Sequence, residues 1–121
     1  MGEIATSERQ ITFFYNGNSV RAKQALAYAE TEGFKIQKID ILKNPPTGTQ
    51  LIELARRLNV ELADLVNQEH PAYHAKFAHH ELSDEDWAKM IRKNPEILKQ
   101  PIAIHGKRTI LIETPTDMMK I

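Results

Sequence analysis

Apolar positions in the first third of the chain follow two different patterns. Ile11–Tyr15 is a continuous run of β-branched and aromatic residues, which predicts a buried strand. A polar turn signal follows it at residues 16–18, and apolar residues then recur at helical spacing over residues 19–32. Residues 35–41 alternate between apolar and polar side chains, which is typical of a second strand. Strand, helix and strand with short links predict a right-handed parallel βαβ unit.

The middle of the chain has helical spacing. Two pairs of residues have the spacing of a capping box and predict helix starts, namely Thr47 with Gln50 and Ser83 with Asp86. A short helix is expected at residues 62–66, and Asn94 is expected to cap one further turn that begins with proline. Residues 68–82 fit either a short helix or a loop.

The end of the chain predicts a hairpin and a last helix. Two short strands, residues 102–104 and 109–112, are joined by His105-Gly106-Lys107, and the turn chemistry indicates a hairpin. Thr114 and Pro115 are expected to cap a final short helix. The order of elements resembles an α/β thioredoxin-like fold with a mixed four-stranded sheet. We expect residues 1–121 to form one domain, with a helical insertion at about 47–98.

Composition narrows the class of protein. The chain has 121 residues, a length that fits one domain, and 16 basic residues balance 16 acidic ones. This balance gives no reason to expect a direct nucleic-acid or anionic membrane partner. The sequence contains no stretch of about 18 apolar residues and no recognisable targeting signal at its start, so we expect a soluble cytoplasmic protein. The absence of cysteine excludes disulfides, thiolate metal ligands and cysteine nucleophiles.

The loop before the first helix is the most informative local feature. Ser19 lies where backbone N–H groups at a helix N-terminus stabilise anions and thiolates. One interpretation is an ordinary N-cap, worth about 1 kcal/mol. The other is that residues 16–19 bind an anion or an external thiolate, with Arg21 and Lys23 adding positive charge.

Several motifs in a fixed order support a family resemblance that covers residues 10–121. Residues 14–26 read FYNGNSVRAKQAL, and further matches lie at residues 42–47, 64–65, 82–86 and 94–102. These segments resemble the glutaredoxin-related arsenate reductase (ArsC) family, which also contains the Spx-type transcription regulators. The family's opening motif is approximately Tyr-His-Asn-Pro-x-Cys-x-x-Ser/Cys-x-x-Ala-Leu, so this chain is similar to a cysteine-less member.

At the positions that carry functional residues in the family, this chain has side chains that cannot perform the same roles. The reductive cysteine falls on Ser19, and the second position of the redox pair falls on Ala22. The three arginines that hold the oxyanion fall on Asn67, Gln100 and, less securely aligned, near Glu113. A serine hydroxyl is a much weaker nucleophile than a thiolate, and a carboxylate repels an oxyanion. We therefore do not expect direct arsenate reduction.

Pro101 falls on the family's cis-proline. In thioredoxin-like folds this proline lies opposite the cysteine loop and exposes backbone groups to a peptide or glutathione, although it also shapes the turn into the third strand. No residue is a confident catalytic candidate. The candidate ligand-binding residues are Asn16, Gly17, Asn18, Ser19, Gln100 and Pro101.

Histidines cluster between residues 70 and 80. His70 and His74 have the i, i+4 spacing of helical metal ligands, but Pro71 lies between them and no acidic residue completes a motif. We expect surface histidines, with His79 and His80 among them, and no metal site.

Two functions remain open at this stage. The favoured hypothesis is a non-catalytic binding or regulatory module with a protein partner, which by analogy with Spx would be RNA polymerase. The alternative is a glutathione-dependent reductase or transferase, in which glutathione supplies the thiolate and Ser19 helps to hold it.

Overall fold

The structure is a computed structural model that describes residues 9–67 and 83–121. Its strands are β1 (Ile11–Tyr15), β2 (Ile36–Asp40), β3 (Ile102–His105) and β4 (Arg108–Leu111). Its α-helices are α1 (Val20–Thr31), α2 (Gly48–Leu58) and α3 (Asp84–Lys93). Short 3₁₀ helices span Leu62–Leu65, Pro95–Ile97 and Pro115–Lys120.

The strands form one mixed sheet in the order β2-β1-β3-β4. β1 and β2 are parallel, with Ile11 opposite Ile36, whereas β3 is antiparallel to both β1 and β4. The predicted βαβ unit, terminal hairpin and mixed four-stranded sheet are therefore confirmed. Among the described helices, none has the length and apolar character needed to cross a membrane.

Alternate residues of β1 supply two hydrophobic cores, one on each face of the sheet. Phe14 packs in a cluster with Leu54 of α2 and Ile91 of α3. Phe13 points to the opposite face and packs in a cluster with Ala25 of α1 and Met118 of the last 3₁₀ helix. Because successive side chains of a strand point to opposite faces, one continuous apolar run serves both cores.

Helix termini follow the predicted capping signals. Thr47 and Gln50 form a capping box at the start of α2, and Ser83 and Asp86 form one at the start of α3. Asn94 departs from expectation, since its side-chain Nδ2 donates to Met90 O at 3.1 Å and completes the end of α3. Its side chain does not cap the following turn.

Two predicted boundaries were wrong. Val66 lies outside the short helix because its backbone is extended and bridges Leu98. His105 belongs to β3 and pairs with Arg108, so the hairpin turn contains only two residues. Gly106 in that turn has φ +62°, a left-handed conformation that glycine adopts without steric cost.

Parallel pairing determines where the candidate site lies. The carboxyl ends of β1 and β2 meet at the same edge of the sheet, at Tyr15 and Asp40. The loop that leads from β1 into α1 begins at this edge, so the N-terminus of α1 lies beside it. The chain's approach to β3 reaches the same edge, because Phe14 pairs with Ile102.

Candidate functional site

The loop into α1 is a compact turn held by its own side chains. Asn16 Oδ1 accepts from the N–H of Asn18 at 2.8 Å, and Asn16 O accepts from the N–H of Ser19 at 2.9 Å. Ser19 Oγ in turn accepts from the N–H of Ala22 at 3.2 Å. Ser19 is therefore the N-cap of α1, as the first of the two interpretations predicted.

Asp40 holds the same loop from the end of β2. Its Oδ1 accepts from the N–H of Gly17 at 3.2 Å and from the N–H of Leu42 at 3.0 Å. A Cβ at position 17 would lie 3.0 Å from the Asp40 carboxyl carbon and would overlap Asp40 Oδ2. A side chain at position 17 would therefore require the Asp40 carboxylate to move, whereas no positive φ is involved.

Sequence analysis missed Asp40. A signal was present, since an acidic residue at the carboxyl end of a strand parallel to β1 lies at the edge where the two following loops meet. A carboxylate there can accept from backbone N–H groups of both loops.

Gln100 and Pro101 approach the loop from the opposite side. The peptide bond between them is cis, and Pro101 is buried. Gln100 Oε1 accepts from the N–H of Asn16 at 3.1 Å, across 84 residues of sequence. The structure therefore brings together the loop and the residue before the proline, which the sequence had placed far apart along the chain.

A cleft of about 520 Å³ opens beside this junction. The three positions that the resemblance assigned to oxyanion-binding arginines, namely Asn67, Gln100 and Glu113, all line it. Ser19 does not line the cleft, and neither do Gly17, Asn18 and Pro101. The remaining lining residues are Asn16, Arg21, Glu96, Leu98, Lys99, Leu111 and Ile112.

One wall of the cleft is fixed by backbone pairing. The N–H of Lys99 donates to Leu65 O, and the N–H of Asn67 donates to Ile97 O, each at 2.7 Å. On the other wall, Arg21 Nη1 donates to Glu113 O at 3.3 Å, which connects the start of α1 to the turn after β4. Both walls therefore consist of segments held by hydrogen bonds.

The charges that the described residues contribute to the cleft cancel. Within residues 9–67 and 83–121, its ionisable lining residues are two cations, Arg21 and Lys99, and two carboxylates, Glu96 and Glu113. Arsenate carries negative charge, so the attraction of the cations is opposed by the carboxylates. The three positions that the resemblance assigned to oxyanion-binding arginines carry asparagine, glutamine and glutamate instead.

Ser19 is also a poor nucleophile in its surroundings. Within the described ranges, its hydroxyl is hydrogen-bonded to the backbone of α1 and not to a histidine or carboxylate that would serve as a base. With no cysteine in the chain, no thiolate is available. The site therefore lacks the thiolate that the reduction of arsenate requires.

The histidine cluster that includes His70, His74, His79 and His80 lies outside the described residues. In the parts of the chain on either side of that segment, no three histidine, aspartate or glutamate side chains are grouped as metal ligands would be.

Sequence comparison with protein-family profiles and with curated proteins found no match. Comparison of the fold with solved structures did find similar proteins. A candidate arsenate reductase from Yersinia pestis has a TM-score of 0.86 at 20% identity and covers 93% of this chain and 100% of its own. An arsenate reductase from Vibrio cholerae has a TM-score of 0.83 at 20% identity, over 98% of this chain and 99% of its own.

A possible arsenate reductase from Streptococcus mutans is also similar, with a TM-score of 0.74 at 21% identity, over 93% of this chain and 99% of its own. The three structures match nearly the whole length of both chains, so the likeness extends to the helical segments as well as the sheet. This chain therefore has the α/β, thioredoxin-like fold of solved arsenate reductase structures, in a sequence without cysteine.

Proposed function

We propose that this protein is a cysteine-less relative of the ArsC family that binds a ligand in the cleft beside α1 and does not catalyse arsenate reduction. One observation carries the proposal. The cleft has a volume of about 520 Å³ between hydrogen-bonded segments, while its described lining residues have no net formal charge and the chain has no thiol. Volumes in this range are typical of small-molecule sites.

The absence of a thiolate and the presence of a cleft are separate observations. Arsenate reduction needs a nucleophilic thiolate, and Ser19 cannot supply one. Binding without redox chemistry accounts for both features.

The proposal is tested first by activity. Arsenate-dependent oxidation of NADPH is followed in the presence of glutathione, glutaredoxin and glutathione reductase. We expect a rate equal to that without the protein, and a rate above that blank contradicts the non-catalytic assignment.

Binding is tested by a thermal-shift screen of small metabolites, repeated on two lysine variants. Lys99→Ala changes the cleft, whereas Lys23→Ala changes an exposed lysine of α1 outside it. A ligand of the cleft stabilises the wild type and Lys23→Ala more than Lys99→Ala. Ligands that stabilise all three proteins equally bind elsewhere and count against the cleft as the site.

Glutathione binding is the second candidate function. Ser19 Oγ already accepts from Ala22 N–H, so its O–H remains a donor for a thiolate at the N-terminus of α1. Titration of ¹⁵N-labelled protein with glutathione would then shift the amides of residues 16–21 and 100–102. The absence of shifts at millimolar glutathione would exclude this alternative.

A regulatory version of the proposal has a protein as the ligand. By analogy with Spx, the partner would be RNA polymerase, and purified core enzyme should then bind immobilised protein. Retention that is equal on a blank matrix would remove that partner from consideration. We also propose a cytoplasmic location, as expected from the sequence.

A further inference from the structure

The two walls of the cleft carry the same pair of charges. Arg21 and Glu113 lie on one wall, where the Arg21 guanidinium donates to the Glu113 carbonyl. Glu96 and Lys99 lie on the other wall, three residues apart in the segment that leads to Gln100. Among the described residues, each of these two segments thus contributes one cation and one carboxylate to the lining of the cleft.

The side-chain amides of Asn16 and Gln100, which both line the cleft, have a defined orientation. Asn16 Oδ1 is occupied by the N–H of Asn18, and Gln100 Oε1 is occupied by the N–H of Asn16. The oxygens are therefore used inside the protein, and the two amide NH₂ groups remain as donors. Peptide carbonyl and carboxylate oxygens are the natural acceptors for such donors.

The cleft also has an apolar component. Leu98, Leu111 and Ile112 contribute to its lining, but Leu98 and Ile112 are almost fully buried, so the accessible apolar surface comes mainly from half-buried Leu111. A small inorganic ion makes no use of such a surface, whereas an organic ligand with carbon atoms between its polar groups does.

We infer that the cleft, with its volume of about 520 Å³, binds a zwitterionic, peptide-like molecule in preference to an inorganic oxyanion. This inference rests on the proposed binding function and specifies its ligand class. The carboxylates of Glu96 and Glu113 attract the ligand's ammonium group, and Arg21 and Lys99 attract its carboxylate. The same carboxylates weaken the binding of any ligand that is only an anion, which produces selectivity by repulsion.

The test uses four probes that share one backbone and differ only in terminal charge. Trialanine has both charges, N-acetyl-trialanine has the carboxylate alone, trialanine amide has the ammonium alone, and N-acetyl-trialanine amide has neither. Inorganic sulfate serves as the oxyanion. Binding to ¹⁵N-labelled protein is followed at the backbone amides of Asn16, Lys99 and Glu113.

Trialanine is expected to bind about tenfold or more tightly than either singly charged probe, and sulfate is expected to bind more weakly still. If sulfate or N-acetyl-trialanine binds as tightly as trialanine, the zwitterion preference is wrong.

Two glutamate variants test whether the carboxylate of Glu113 contacts the ammonium group of the ligand. Glu113→Gln removes a carboxylate from the cleft, and Glu30→Gln removes an exposed one from α1 outside it. Glu113→Gln should weaken trialanine severalfold while it leaves N-acetyl-trialanine unchanged or tighter, and Glu30→Gln should change neither. Equal effects of the two variants on trialanine overturn the assignment.

The outcomes distinguish this inference from the proposed function. If the metabolite screen finds a cleft ligand but trialanine gives no shifts up to about 10 mM, the ligand class is wrong and the binding function stands. If neither the screen nor any probe affects the cleft amides, both are wrong.

Discussion

The contact between Gly17 and Asp40 gives the sharpest prediction about how the candidate site is held. In Gly17→Ala, the new methyl group would overlap the Asp40 carboxylate, so the carboxylate must move. That movement breaks its hydrogen bonds to the N–H groups of Gly17 and Leu42. Hydrogen bonds to a charged group contribute about 1.5–3 kcal/mol each, and Asp40 is half-buried, so the low end applies.

The expected cost of Gly17→Ala is therefore about 2–3 kcal/mol in free energy of unfolding. Asp40→Ala loses the same two bonds and should cost a similar amount. In the Asp40→Ala background, however, the three atoms nearest to the new methyl group, all in the Asp40 carboxylate, are gone. Because Gly17 has no positive φ, alanine there should then be neutral, or stabilising by about 0.4–1 kcal/mol through the unfolded state.

Urea unfolding of the four proteins in this double-mutant cycle measures the coupling. With an m-value of about 2 kcal/mol/M, each single variant should lower the midpoint by about 1–1.5 M. Gly48→Ala is the matched control, because a Cβ there would lie 3.7 Å from Ala88 Cβ in ordinary contact. If Gly17→Ala costs as much without the Asp40 carboxylate as with it, the steric explanation is refuted.

Two further predictions concern the site and the last helix. Ser19→Cys should have a thiol pKa below about 7.5, visible in its thiolate absorbance, because the α1 N-terminus stabilises the anion; a pKa near about 8.5 would contradict this. Hydrogen bonds from the backbone N–H of Thr114, from that of Glu113 and from the Lys120 side chain lower the pKa of Asp117 from 3.8 to about 2. A lowered folded-state pKa adds stability above pH 3.8 that is lost as pH falls towards 2. In Asp117→Asn, the urea midpoint should depend less on pH across that window than it does in the wild type. An unchanged pH dependence of the midpoint would contradict this role of Asp117.

Local sequence signals predicted the elements well where the signal and the structure depend on the same few residues. The Thr47 capping box needs only the side chain of Gln50, three residues away, and both bonds are present. The strand of Ile11–Tyr15 follows from an apolar run alone. His105 was misplaced because its inclusion in β3 depends on pairing with Arg108, which turn composition did not reveal.

The candidate site was predictable only in part, for a physical reason. The resemblance identified Asn67, Gln100 and Glu113 as equivalent positions, and they do line one cleft. Their present contacts depend on tertiary structure. The bond from Asn16 N–H to Gln100 spans 84 residues, and the walls exist because separate segments pair there. No short-range pattern encodes contacts of that range.

The bond between Gln100 and Asn16 has a consequence for how this chain can change. Gln100 uses its side-chain oxygen as an acceptor, whereas an arginine has donors only. Gln100→Arg would therefore leave the half-buried N–H of Asn16 without its partner, at a cost of about 1–3 kcal/mol. If substitutions were to convert this cleft into an oxyanion site, the order in which they occur would therefore matter. The loop needs a substitute acceptor before position 100 can become cationic without loss of stability, which makes the two positions epistatic.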